Sequence, residues 1–191
     1  MILYAIDPGV HSCALAQFTD RALVGLTDTA TWKWGPIEVG APPTLILGGL
    51  GPVWIVLEVP RADKDPRKSN DLIDLNGSGG RLAGQIEGYA AGRATLTLRY
   101  ARNSSAGKGW KGQIPKPIHH ARLIKALSPA ELAIVEAEYT PRRGDPKTAL
   151  EYVRRSCVRL ATDPNWHTWY KNKIHNGLDA VALGATEIGR L

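Results

Sequence analysis

The chain has 191 residues, 43% of them hydrophobic and 22% charged, with a formal net charge of +6 and two cysteines. A chain of that length buries a core without metal or disulfide staples, and its composition is not that of a disordered segment. It describes one soluble α/β domain over 1–191 and argues against a disulfide scaffold or a structural zinc site, since Cys13 and Cys157 have neither C-x-x-C spacing nor a paired histidine.

Residues 2–6 are a short apolar run that predicts a strand, and the acid at position 7 with no basic leader predicts no signal peptide. Asp7-Pro8-Gly9 is turn chemistry that leads into a second strand over 12–18. After Thr19-Asp20-Arg21 comes a third over 22–26, so three antiparallel strands open the chain. A loop bearing Trp32, Trp34, Pro36, Pro42 and Pro43 leads to a short helix near 44–50. The apolar stretch 44–57 is broken by Gly48, Gly49, Gly51 and Pro52, too early for a membrane span, and a cytoplasmic location is expected.

Residues 53–57 are continuous and β-branched, as in a strand covered on both faces, and Glu58 stands at its end. Over 70–92, Leu72, Leu75, Leu82, Ile86 and Tyr89 keep to one helical face. Gly77, Gly79, Gly80, Gly84 and Gly88 weaken that helix, which implies close packing against another helix or a partner subunit. A strand over 95–99 and helices over 118–127, 129–138, 150–160 and 177–188 complete the chain.

Charge is unevenly placed. Residues 61–125 hold 13 basic and 5 acidic side chains, whereas 1–60 hold 2 and 5. Residues 88–130 have no acid at all, yet carry Arg93, Arg99, Arg102, Lys108, Lys111, Lys116, Arg122 and Lys125, with Tyr100 and Trp110 among them. A one-sign stretch with aromatic rings suits a polyanion, because each neutralised phosphate releases counterions and exposed bases stack on π faces.

Three acids stand where strand ends and a helix start would meet: Asp7, Glu58 and Asp179. Taken singly, each has a structural explanation: a turn, a strand cap, and a helix N-terminus with Asn176 as N-cap. Brought together, carboxylates repel one another and raise each other's pKa unless a cation lies between them, and Mg²⁺ takes oxygen ligands. Two such ions support phosphodiester hydrolysis.

The ordered set I-D-P-G (6–9), V-L-E (56–58), W-K-G-Q-I-P-K (110–116), H-N-G-L-D-A (175–180) and D-A-V-A-L-G (179–184) resembles the RuvC-type Holliday-junction resolvases of the RNase H-like fold, especially their phage-borne homologues. The resemblance runs from residue 2 to about 190. It implies a three-layer α/β domain with a mixed five-stranded sheet, a homodimer, and metal-dependent paired nicking of four-way DNA in a bacterial or phage-infected cell.

Position by position, the resemblance implies metal ligation by Asp7, Glu58 and Asp179, with Mg²⁺ in a two-ion site and Mn²⁺ as a substitute. Three residues before Asp179, where many relatives have Asp or His, this chain has Asn176, with His175 one residue earlier. Either shares a helical face with Asp179 and could complete the ligand set, and His175 could instead act on the attacking water or be an ordinary loop residue. Lys111 and Lys116 resemble lysines placed near the scissile phosphate. The expected DNA face joins Arg61, Lys64, Arg67 and Lys68 of the loop after Glu58 to Arg99, Arg102, Lys108, Trp110, Lys111 and Lys116. That loop has no aromatic wedge. His11, His119, His120 and His167 receive no role. Two other functions remain open: a nuclease for flaps, forks or RNA-containing duplexes, and a branched-DNA binding module that does not cut.

Overall fold

The computed structural model describes residues 1–8, 13–27, 53–59, 80, 83–84, 94–100, 109–112, 114–163 and 174–191. Five strands form one mixed sheet: β1 (Ile2–Pro8), β2 (Cys13–Thr19), β3 (Ala22–Thr27), β4 (Val53–Val59) and β5 (Ala94–Tyr100), in the order β3-β2-β1-β4-β5. β1 pairs antiparallel with β2, and β2 with β3, while β4 is parallel to both β1 and β5. Four helices follow among the described residues: α1 (Lys116–Ala126), α2 (Pro129–Glu138), α3 (Ala149–Thr162) and α4 (Ile174–Glu187). This is the mixed five-stranded α/β architecture that the resemblance implied.

The strand expectations hold to within two residues at each end. The β2–β3 turn needs no glycine, because Asp20 and Arg21 both take positive φ (50° and 71°), the conformation that matches a two-residue hairpin to the twist of its strands. Asp20 is anchored there by the Met1 ammonium at 2.8 Å, and Arg21 donates to the Ile188 carbonyl at 2.7 Å. At the start of α2 a capping box forms, with Ser128 Oγ accepting from Glu131 N–H and Glu131 accepting from Ser128 N–H.

Alternation along the strands divides the core in two. Leu3, Ala5, Ala14, Ala16, Phe18 and Val56 face the helices, where Leu123, Val135, Val153, Leu178 and Val181 meet them. Tyr4, Ile6, Cys13, Val53, Ile55 and Leu57 form the opposite face, against which Ala83 packs. α4 lies across β1 and β2, while α1 bridges α3 and α4. Both cysteines are free thiols.

Three expectations require correction. The last helix begins at Ile174 rather than 177, so Asn176 is a residue of its first turn and not its N-cap, and Asp179 belongs to the second turn. Among the described residues, nothing lies within 4 Å of a Cβ placed at Gly80 or Gly84. A close approach of helix to sheet occurs at Gly184, where a Cβ would lie 2.2 Å from Phe18 Cε2. The expected helix near 44–50 and most of the one over 70–92 lie outside the described residues. No described helix is long and apolar enough to cross a membrane.

Candidate active site

Register brings the first two acids together. Leu3 stands beside Trp54 and Ala5 beside Val56 in the parallel β1–β4 pair, and Leu3, Ala5 and Val56 face the helices. Two residues further along each strand, the same alternation puts Asp7 and Glu58 on that face at the C-terminal end of the sheet. α4 crosses this face and is buried on every side from Gly177 to Ala185, so Asp179 is enclosed as well. All three acids are buried, Asp179 to 1% exposure.

A tight turn supplies the counter-charge. Gly112 N–H donates to the Gly109 carbonyl at 3.2 Å, with Gly112 at φ +60°, and Trp110 N–H donates to the Tyr100 carbonyl at 2.9 Å, which ties the turn to the end of β5. Trp110 Nε1 then donates to Glu58 Oε2 at 2.9 Å. Lys111 Nζ lies 3.3 Å from Glu58 Oε2 and 2.9 Å from Asp179 Oδ2, and 4.7 Å from the centre of the Trp110 ring. Lys116, the first residue of α1, reaches Asp179 Oδ2 at 2.6 Å with its side chain still 40% exposed. One turn along α1, His120 Nε2 is 2.8 Å from Asp179 Oδ1.

These neighbours separate the acids electrostatically. Burial, then the charges of Glu58 and Asp179, push the Asp7 carboxyl well above its ordinary range, against the pull of Lys111 and Lys116. Glu58 is pushed up by burial and by Asp179, with Lys111 opposing. Burial would raise Asp179 too, but Lys111, Lys116 and the His120 hydrogen bond together hold it well below the usual carboxylate range. Burial works against the charge on Lys111, yet Asp179, Glu58 and Asp7 outweigh it and raise its pKa. His120 is lowered by burial, with Asp179 opposing, and His119 is brought down to about 4 by burial and by His120.

Among the described residues no three of Asp, Glu, His and Cys stand in metal-site geometry. What Glu58 and Asp179 flank is the Lys111 ammonium. The oxygen donors nevertheless fit a hard divalent cation in type and charge. Asp179 Oδ2 is buried and already carries concentrated positive charge, with the Lys111 and Lys116 ammonium groups at 2.9 and 2.6 Å.

Among solved structures, the chain is similar to T. thermophilus RuvC in complex with Holliday junction substrate, with 13% identity, TM-score 0.37, and coverage of 100% of this chain and 97% of that one. No protein-family model and no curated protein matches the sequence.

Of the residues expected in the site, Asp7, Glu58, Asp179, Lys111 and Lys116 form one charge cluster. His175 and Asn176 are half-buried in the first turn of α4, four and three residues before Asp179. Trp110, expected to stack on bases, is half-buried with its indole N–H on Glu58. Arg99 pairs through two nitrogens with Glu187 at the end of α4. Arg61, Lys64, Arg67, Lys68, Arg102 and Lys108 lie outside the described residues, as do His11 and His167. His120 went unassigned from sequence although its i+4 spacing from Lys116 places the two on one face of α1, which was the signal available.

Proposed function

We propose that the protein is a metal-dependent, structure-selective endodeoxyribonuclease that resolves four-way DNA junctions by paired nicks. One observation carries the reading: three carboxylates from β1, β4 and α4 are buried within a single charge cluster with two lysines. Burying like charges together costs stability, and strongly displaced pKa values of this kind gather at functional sites.

Asp7, Glu58 and Asp179 would hold the divalent ions, with Asn176 or His175 completing the set. Bound there, Mg²⁺ in a two-ion arrangement, or Mn²⁺, would supply Lewis-acid chemistry for phosphodiester hydrolysis. Trp110 fixes the orientation of Glu58 through its indole N–H. Lys116, partly exposed beside Asp179, is suited to offset the charge that builds on the phosphate as the new P–O bond forms and the old one breaks. Lys111 is buried among the acids, so any contact with phosphate requires its ammonium to leave them. The acid-free basic stretch 88–130 supports DNA as the substrate, and the two-fold symmetry of a four-way junction supports a homodimer with one complete site per protomer.

The test is incubation with labelled four-way junction, fork, flap and linear duplex, with and without Mg²⁺, alongside light scattering. Paired symmetric nicks in the junction, dependent on metal and made by a dimer, are expected. Equal cutting of flaps or forks would make the protein a general branched-DNA nuclease. Junction binding without cutting at any metal concentration would make it a binding module.

A further inference from the structure

We propose that His120 is the positioning residue of this site: it holds Asp179 by one oxygen so that only the other faces the cations. The inference rests on the reading of Asp7, Glu58 and Asp179 as the metal-holding acids, and it adds a residue that the motifs do not contain.

His120 is fully buried on α1, and its Nε2 lies 2.8 Å from Asp179 Oδ1. An ionised carboxylate only accepts hydrogen bonds, so the ring nitrogen that faces it must carry the proton. The two oxygens of Asp179 thereby have different work. Oδ1 is held by His120, while Lys111 and Lys116 both approach Oδ2. With Oδ1 accepting from His120, the plane of the Asp179 carboxylate is fixed and Oδ2 is the oxygen turned toward the other acids' counter-charge, where a cation would enter.

The arrangement also joins two parts of the fold. Lys116 and His120 are one turn apart on α1, and both meet Asp179 of α4, so one helix supplies both a charge beside this carboxylate and the hydrogen bond that orients it. α1 is in turn held against α3, where Cys157 Sγ meets the Pro117 carbonyl at 3.3 Å. Partners of this kind, which hold a ligating group without touching the metal, typically govern affinity by about 10- to 100-fold.

The experiment compares wild type, His120→Leu, His120→Gln and His120→Asn. Gln carries an amide N–H at about the reach of Nε2, whereas Asn is too short and Leu has no donor. Mn²⁺ binding to the DNA-free protein is measured by titration calorimetry, and cleavage of a four-way junction is followed as a function of Mn²⁺ concentration. His120→Leu and His120→Asn should weaken Mn²⁺ binding about tenfold or more, with the same shift in the cleavage curve and junction affinity unchanged, and His120→Gln should recover most of it. Should His120→Leu fail to fold, the Gln and Asn pair still decides, since both are polar. Wild-type Mn²⁺ affinity in folded His120→Asn would overturn the proposal, and so would a folded His120→Gln no better than Asn. If wild type itself binds no Mn²⁺, the nuclease reading falls separately. The imidazole ¹⁵N shifts of the metal-free protein then still test the positioning: a proton on Nε2 supports it, and a bare Nε2 refutes it.

Discussion

Gly184→Ala sets two well-known effects against each other at a place that matters for the site. In a helix interior, Ala is favoured over Gly by about 1 kcal/mol, so propensity alone predicts a more stable protein. The structure predicts the reverse. A Cβ at this position would lie 2.2 Å from Phe18 Cε2 and 2.9 Å from its Cδ2 and Cζ. Carbon atoms pack at about 3.5–4.0 Å, so the ring or the helix must yield by more than an ångström. Phe18 is 1% exposed and has nowhere to go without moving α4 away from β2. Overpacking of this kind costs about 1–3 kcal/mol, and the poor fit here puts it at the upper end, leaving a net loss of about 2 kcal/mol after propensity is counted. In a chain of this size that lowers Tm by about 4–8 °C. Urea and thermal unfolding measure it, with Gly184→Ala/Phe18→Leu as the relieving partner, expected to recover at least about 0.5 kcal/mol of coupling. Asp179 lies five residues earlier on the same helix, so a displaced α4 should also weaken metal binding. A variant that is more stable than wild type, or a double variant that shows no coupling, would refute the argument.

Asp7→Asn, Glu58→Gln and Asp179→Asn should each abolish cleavage while leaving junction binding intact or tighter, since each removes an oxygen ligand and a negative charge facing phosphate; near-normal cutting by any one would make that acid structural. Lys116→Ala should flatten the slope of log affinity against log salt by about 0.9, one phosphate contact, whereas buried Lys111→Ala should leave it close to wild type. Asn176→Asp should lower the metal concentration for half-maximal cleavage and His175→Ala should raise it, with Mn²⁺ favoured over Mg²⁺ in the wild type; no change in either variant would move the fourth ligand elsewhere. Glu131 accepts from Arg190 Nη2 at 2.8 Å and from Leu23 N–H at 2.8 Å, and Arg190, against the effect of burial, brings its pKa from 4.5 to about 2. The unfolded chain therefore binds the extra proton between those values, so this stabilisation of about 3 kcal/mol is whole above pH 4.5 and is lost as pH falls toward 2. Urea unfolding between pH 5 and pH 3 should fall more steeply for wild type than for Glu131→Gln, and parallel curves would count against it.

The strands and most helices could be read from the sequence because their signals are local. The continuous apolar runs of β1 and β4, the alternating burial of β2, the Ser128–Glu131 capping box and the apolar stripe of α4 all follow from residues within a few positions of one another. The three acids and two lysines were also legible, since each stands at an element end or within a motif whose order survives in the linear chain. What the tertiary structure decided are the pairings that no local pattern encodes. Lys111 is committed to the acids, Trp110 to Glu58, and Arg99 to Glu187, whereas in sequence all three read as a basic, aromatic DNA face. His120 meets Asp179 across 59 positions, and Gly184 meets Phe18 across a helix–sheet contact. A charged or aromatic side chain shows its type in sequence, but its partner is fixed by which elements pack, and that depends on the whole core closing at once.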